Sequence, residues 1–265
     1  MAATTSGARP TIAIGSYLPG SSVLHRADPR AKIICAFFIM LALFITNWWT
    51  PILVALALIA VLTRLARIPV RYLLHALRPV LIILVFTLAI NALAFSPLRF
   101  SLAGLERGGL FALRIIAIML ISTLVTLTTS PVTLTDGLTL LASPLRRLRV
   151  PVDDLAMMLS IALRFIPTIM TEAQTIIKAQ TARGAQFSSG PFARRLRAWT
   201  VILIPLLVQL FRRADTLALA MESRCYTGVG RTRLRVLKLQ ASDTAAIAIT
   251  VLATAALIAI RILVG

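Results

Sequence analysis

Two short clusters carry the residues best suited to recognition: Ala182-Arg183-Gly184 and Ser223-Arg224-Cys225, whose arginines stand 41 residues apart. A guanidinium is always charged, and its planar fork of donors meets a carboxylate in two parallel bonds. Neighbours as small as alanine, glycine, serine and cysteine let a partner's backbone close around it. Arginine near a helix C-terminus also complements the macrodipole, by roughly 0.3–1 kcal/mol, and each cluster falls where an amphipathic helical pattern stops. Either use explains one arginine; the same device at two helix ends points to a partner with two equivalent sockets.

The remaining chemistry-bearing residues form no catalytic set. No Gly-x-x-x-x-Gly-Lys-Ser/Thr loop is present to cradle phosphates, and no His-Glu-x-x-His pair. With only His25 and His75, a multi-histidine metal site is excluded, and His25 reads as an interfacial side chain. Cys35 falls in an apolar run and Cys225 in a basic stretch, so no disulfide between them is expected. The chain reads as a non-enzymatic subunit whose energy comes from elsewhere.

The elements that hold the two clusters must be membrane-bound. Of 265 residues, 58% are hydrophobic, and the mean hydropathy is +0.90, too apolar for an ordinary soluble domain. Spans are expected over residues 33–48, 52–65, 80–95, 110–128 and 244–264, each near the roughly 20 residues that cross the hydrocarbon core. Trp48 and Trp49 suit the interface at the first turn. The first apolar run lacks a convincing cleavage site and reads as a retained anchor.

A formal charge of +19 would point to nucleic acid in a soluble protein. Here 24 of the 28 basic residues fall on one side of the expected spans if the N-terminus is cytoplasmic. The charge is therefore read as topogenic, with N-terminus in, C-terminus out and no nucleic-acid partner. The fold expected is an all-α integral membrane protein with about five transmembrane helices and a pair of long helices on the cytoplasmic side. Four regions follow: a flexible tail and interfacial entry over 1–30, a four-helix membrane region over 31–129, a cytoplasmic region over 130–242 and a final transmembrane helix over 243–265.

Apolar residues from Leu155 to Ile177 recur at spacings of three and four, an amphipathic helix with start signals at Pro151, Asp153 and Asp154 and an end at Arg183-Gly184. Ser188-Ser189-Gly190-Pro191 breaks the chain before a second helix from about Phe192 to Arg224. Pro167 and Pro205 fall inside these helices and are candidate hinges. Arg164, Asp215 and Glu222 are candidate supporting charges, the two acids seven apart on one face and expected in an intramolecular pair. Asn91 is expected to bond between helices. Asp28-Pro29 reads as an N-cap with proline at the first helical position.

Several segments together resemble the transmembrane T component of energy-coupling factor (ECF) transporters, the EcfT/CbiQ/BioN family. They are Gly15-Ser16-Tyr17, the run Ser22 to Lys32 (SVLHRADPRAK), Ala162 to Thr168 (ALRFIPT), Ala179 to Gly184 (AQTARG) and Arg212 to Tyr226 (RRADTLALAMESRCY). They occur in the expected order across nearly the whole chain. The resemblance implies a scaffold in the cell membrane that couples two ATP-binding-cassette (ABC) subunits to a small membrane S component, which captures a vitamin or metal ion. It implies that the long helices cross and that Ala182-Arg183-Gly184 and Ser223-Arg224-Cys225 dock in grooves on the two ATPases. ATP and Mg would be bound by those partners and no cofactor by this chain. In the second motif Ser223 and Cys225 replace the usual alanine and glycine, which puts the geometry of that helix end in question. The alternative, a self-contained channel or secondary transporter, expects mid-membrane ionisable residues and internal repeats. Neither is evident, and no acidic residue lies in the first four expected spans.

Overall fold

The structure, a computed structural model, describes residues 17, 18, 20, 22–46, 48–95, 98–100, 102–185, 187, 192–228 and 239–264. Most of the expected tail and the break at Ser188-Ser189-Gly190-Pro191 lie outside the described residues. The chain divides into two compact units, one holding Leu145–Val236 and the other Ala13–Pro144 with Leu237–Gly265.

The second of these is built from α1 (Val23–Arg26), α2 (Pro29–Ile45), α3 (Trp49–Ala66), α4 (Val70–Ala92), α5 (Leu102–Thr128), α6 (Pro131–Leu141) and α9 (Ala241–Val264). A short hairpin of β1 (Leu93–Phe95) and β2 (Leu98–Phe100), paired antiparallel, joins α4 to α5. The other unit holds α7 (Val152–Ala182) and α8 (Phe192–Glu222), with a short 3-10 turn over Ser143–Leu148 preceding α7. The all-α membrane fold is thus present, interrupted among the described residues by one hairpin of two three-residue strands.

Among the described residues five helices are long and apolar enough to cross a membrane: α3, α4, α5, α7 and α9. The expected set differs at two places. α2, counted as a span, is 17 residues long. α7, not counted, qualifies with mean hydropathy 1.4, against 2.0–2.4 for the others, because its few charges leave an apolar central window. α4 begins at Val70, ten residues before the expected span, since Arg71, His75 and Arg78 continue the helix from its polar end. α5 likewise begins before its apolar run and so contains Glu106, which accepts from Trp49 Nε1 at 3.1 Å.

α2 is the strut of its unit. The Asp28 carboxylate accepts from Arg30 N at 2.9 Å, and Pro29 occupies the first turn, as the sequence predicts. Near this start, Lys32 Nζ donates to Thr128 O and Thr129 Oγ1, both at 3.2 Å, tying α2 to the end of α5. At its other end, Arg114 of α5 donates to Thr46 O and Arg261 of α9 to Ile45 O. Those carbonyls have no intrahelical donor, so each arginine neutralises an otherwise costly group and is itself tolerated in an apolar setting.

Between these ties Ala36, Leu43, Ile52, Ala55, Ile59, Ala117 and Ile121 form a buried cluster from α2, α3 and α5. Three of the seven are alanine. Lipid is as apolar as leucine, so helices in a membrane associate through close packing at small residues rather than by escaping water. Gly108 shows the same rule between α4 and α5: a Cβ there would lie 2.9 Å from Asn91 Cβ. Asn91 itself donates to Thr87 O, four residues back at 2.8 Å, so the expected interhelical bond is replaced by a bond within α4 and a close approach to glycine. His25 is held by Ser22 Oγ at 2.7 Å and Leu18 O at 3.0 Å.

Gly108→Ala should therefore push α4 from α5 and destabilise the protein by about 1–3 kcal/mol, despite alanine's better helix propensity. Gly109→Ala, whose Cβ would meet only a Trp49 ring carbon at 3.4 Å, should not lower stability. Thermal melting of the two variants in detergent checks this difference.

Candidate docking site on the paired helices

α7 starts at Pro151 with Asp153 and Asp154 in its first turn, where negative charge meets the positive end of the helix dipole. Arg146 pairs with Asp153 at 2.6 Å in an exposed setting, worth ~1 kcal/mol or less. Pro167 lies inside α7 and Pro205 inside α8, and each deprives its helix of one backbone donor.

Both helices stop in the same way. At the end of α7, Gly184 takes φ +86°, Gly184 N donates to Thr181 O at 2.9 Å, and Ala185 N donates to Gln180 O at 3.0 Å. At the end of α8, Cys225 takes φ +54°, Cys225 N donates to Glu222 O at 2.9 Å, and Tyr226 N donates to Met221 O at 3.0 Å. A left-handed residue and a bond reaching back five positions form a Schellman-type close. Every position in one end matches the other with an offset of 41, the spacing of Arg183 and Arg224. The departure at Ser223 and Cys225 therefore leaves the helix-ending geometry intact, with a cysteine in a backbone region that favours glycine.

Ala182, Arg183, Gly184, Ser223, Arg224 and Cys225 are all exposed. Neither Arg183 nor Arg224 has an acidic partner among the described residues. Arg164 is exposed and likewise has none. The intramolecular pair expected of Asp215 and Glu222 is not formed among the described residues; both are exposed, because their face of α8 turns away from α7.

Side-chain contacts among the described residues join α7 and its flanks to α8 at three levels. The Phe187 and Trp199 rings lie 5.9 Å apart near the connection. Glu172 pairs with Arg213 midway, and the guanidinium of Arg213 sits 5.8 Å from the Phe165 ring centroid. Tyr226 Oη lies 2.8 Å from Met157 Sδ at the far end. As the α7 position rises the α8 position falls, so the helices run antiparallel. That direction puts Arg183 and Arg224 at opposite ends of the pair, separated by about 22 residues of helix, or about 33 Å at 1.5 Å per residue.

Glu172, Arg213, Met157 and Tyr226 were not among the sequence candidates. A signal for the first two was present: the offset of 41 that relates the arginines also relates Glu172 to Arg213. Among the described residues no cluster of His, Cys, Asp or Glu is placed to hold a metal ion.

Because Gly184 and Cys225 carry the same turn, exchanging their residue types has opposite effects. Gly184→Ala should cost about 1–2 kcal/mol through its left-handed backbone, and Cys225→Gly should stabilise by about 1 kcal/mol. Melting of purified variants distinguishes these signs.

The family model described as Cobalt transport protein (CbiQ) matches residues 20–235, a range that includes both arginine-bearing ends. Among curated relatives, the Energy-coupling factor transporter transmembrane protein EcfT of Thermosediminibacter oceani is 43% identical over 89% of this chain and 92% of its own length. The protein of the same name in Bacillus subtilis is 41% identical over 94% and 97%, and that of Brevibacillus brevis is 46% identical over 85% and 89%. Such identity along almost the full length of each relative assigns this multi-pass chain to the energy-coupling factor transporter transmembrane protein family, as the membrane component of such a transporter.

Proposed function

We propose that this chain is the scaffold through which two ABC-type ATPase subunits drive a small membrane S component that captures a vitamin or metal ion. The observation that carries this reading is the pair of matching helix ends, each presenting an exposed arginine that has no acidic partner among the described residues. A partner made of two like subunits offers two like sockets, and a carboxylate in each meets the guanidinium bidentately. The hydrolysed nucleotide and its Mg belong to those partners, and this chain contributes no catalytic group.

The membrane-facing work falls to the apolar faces of the same helices. Leu155, Met158, Leu159 and Met170 of α7 and Leu203, Ile204 and Leu207 of α8 are exposed, a surface suited to an S component and to lipid. ATP-driven closure of the ATPase pair carries Arg183 and Arg224 with their sockets, and the helices change their mutual angle, with Pro167 and Pro205 as hinges. The shifted faces move the S component, which releases its cargo inward. In this reading the chain lies in the cell membrane with its N-terminus cytoplasmic and its C-terminus external, as the distribution of Lys and Arg favours.

Arg183→Glu or Arg224→Glu should each weaken docking by about 2 kcal/mol or more, since a desolvated arginine at such a contact is a hot spot. The double variant should neither co-purify the ATPases nor support uptake. Normal transport by the double variant would exclude docking through these residues.

A further inference from the structure

The Glu172–Arg213 pair occupies a special place in the geometry of the two arms. Each residue precedes its docking arginine by 11 positions, so the pair is the point at which the 41-residue offset maps the antiparallel helices onto one another. The flanking contacts lie almost symmetrically about it: Met157 and Phe187 are each 15 residues from Glu172, and Tyr226 and Trp199 are 13 and 14 residues from Arg213. A topogenic arginine has no reason to meet its acid at this one register.

Among the described residues no second ion pair joins the two helices, and the ring contact of Phe187 with Trp199 and the Tyr226–Met157 bond lie at the ends of the seam. Ridges of similar side chains tolerate a slip of one helical turn, whereas a half-buried charge pair between two helices penalises registers that separate its partners. Glu172 and Arg213 side chains are 23% and 35% exposed, so water only partly replaces a lost partner. In an antiparallel pair a slip changes the distance between the outer ends directly: one turn alters the ~33 Å span between Arg183 and Arg224 by about 5.4 Å. Each state of the two joined subunits sets one span between its sockets, so a slipped chain must return to register on docking and can slip again when the sockets move it.

We infer that Glu172 and Arg213 are positioning residues, a register pin that fixes the span between the two docking arginines, with Phe165 holding the Arg213 guanidinium over its ring. This rests on the docking role proposed above, but the pin itself is readable without the ATPases. Spin labels on Ala182→Cys and Ser223→Cys, in full-length chain carrying Cys35→Ser and Cys225→Gly and reconstituted in nanodiscs, report the span by pulsed dipolar spectroscopy. The parent background should give one narrow distribution near ~35 Å. Glu172→Gln should broaden it or shift it by about one turn, ~5 Å, and the charge exchange Glu172→Arg/Arg213→Glu should narrow it again. An unchanged distribution in Glu172→Gln, or an exchange variant as broad as the single one, overturns the pin.

In the complete complex without labels, Glu172→Gln should retain both ATPases, because Arg183 and Arg224 are untouched. It should transport about tenfold less substrate per ATP hydrolysed, the scale of a coupling term of ~1.4 kcal/mol. Coupling equal to the parent's would overturn the pin's functional part. Failure of the unsubstituted chain to bind ATPases would overturn the docking proposal and leave the measured register standing.

Discussion

A helix that ends in water must find donors for its last carbonyl groups, and the way α7 and α8 meet that need decides where their arginines stand. In each, a residue at positive φ folds the chain back so that an amide reaches the carbonyl five residues earlier. The arginine just before the turn is carried out of the helical groove and left exposed on a rigid backbone. Matching turns thus make Arg183 and Arg224 equivalent groups on antiparallel supports. Cys225 maintains this equivalence against its own conformational preference.

The membrane unit meets a different demand. Its helices gain little from hiding apolar surface from lipid, so they cohere by close approach at Ala36, Ala55, Ala117 and Gly108 and by polar ties at the ends of α2. Arg114 and Arg261 reach α2 carbonyls there, which turns two costly charges into joints between helices. Among the described residues of α7 and α8 only Val152 and Ile202 are buried.

Much of this was legible in the residues. Asp28-Pro29, Pro151 with its two aspartates, and Arg183-Gly184 each mark a helix boundary by a local mechanism, and the structure places a boundary at each. The start of α4 was not legible, because Arg71, His75 and Arg78 break the apolar run without breaking the helix. Asn91 was misread as an interhelical donor because a carbonyl of its own helix satisfies it first. Asp215 and Glu222 share a face by spacing, but spacing alone does not say which face meets a neighbour. Glu172 and Arg213 share the 41-residue spacing of the two arginines, but spacing alone does not pair them, since only the antiparallel register brings them together.

The most direct test of the docking account is an experimental structure of the chain bound to its ATPase pair and S component, resolved well enough to see side chains at both helix ends. The account predicts Arg183 in a groove of one ATPase subunit and Arg224 in the equivalent groove of the other, each against a carboxylate. Both arginines in one subunit, or either helix end free of the ATPases, would contradict it.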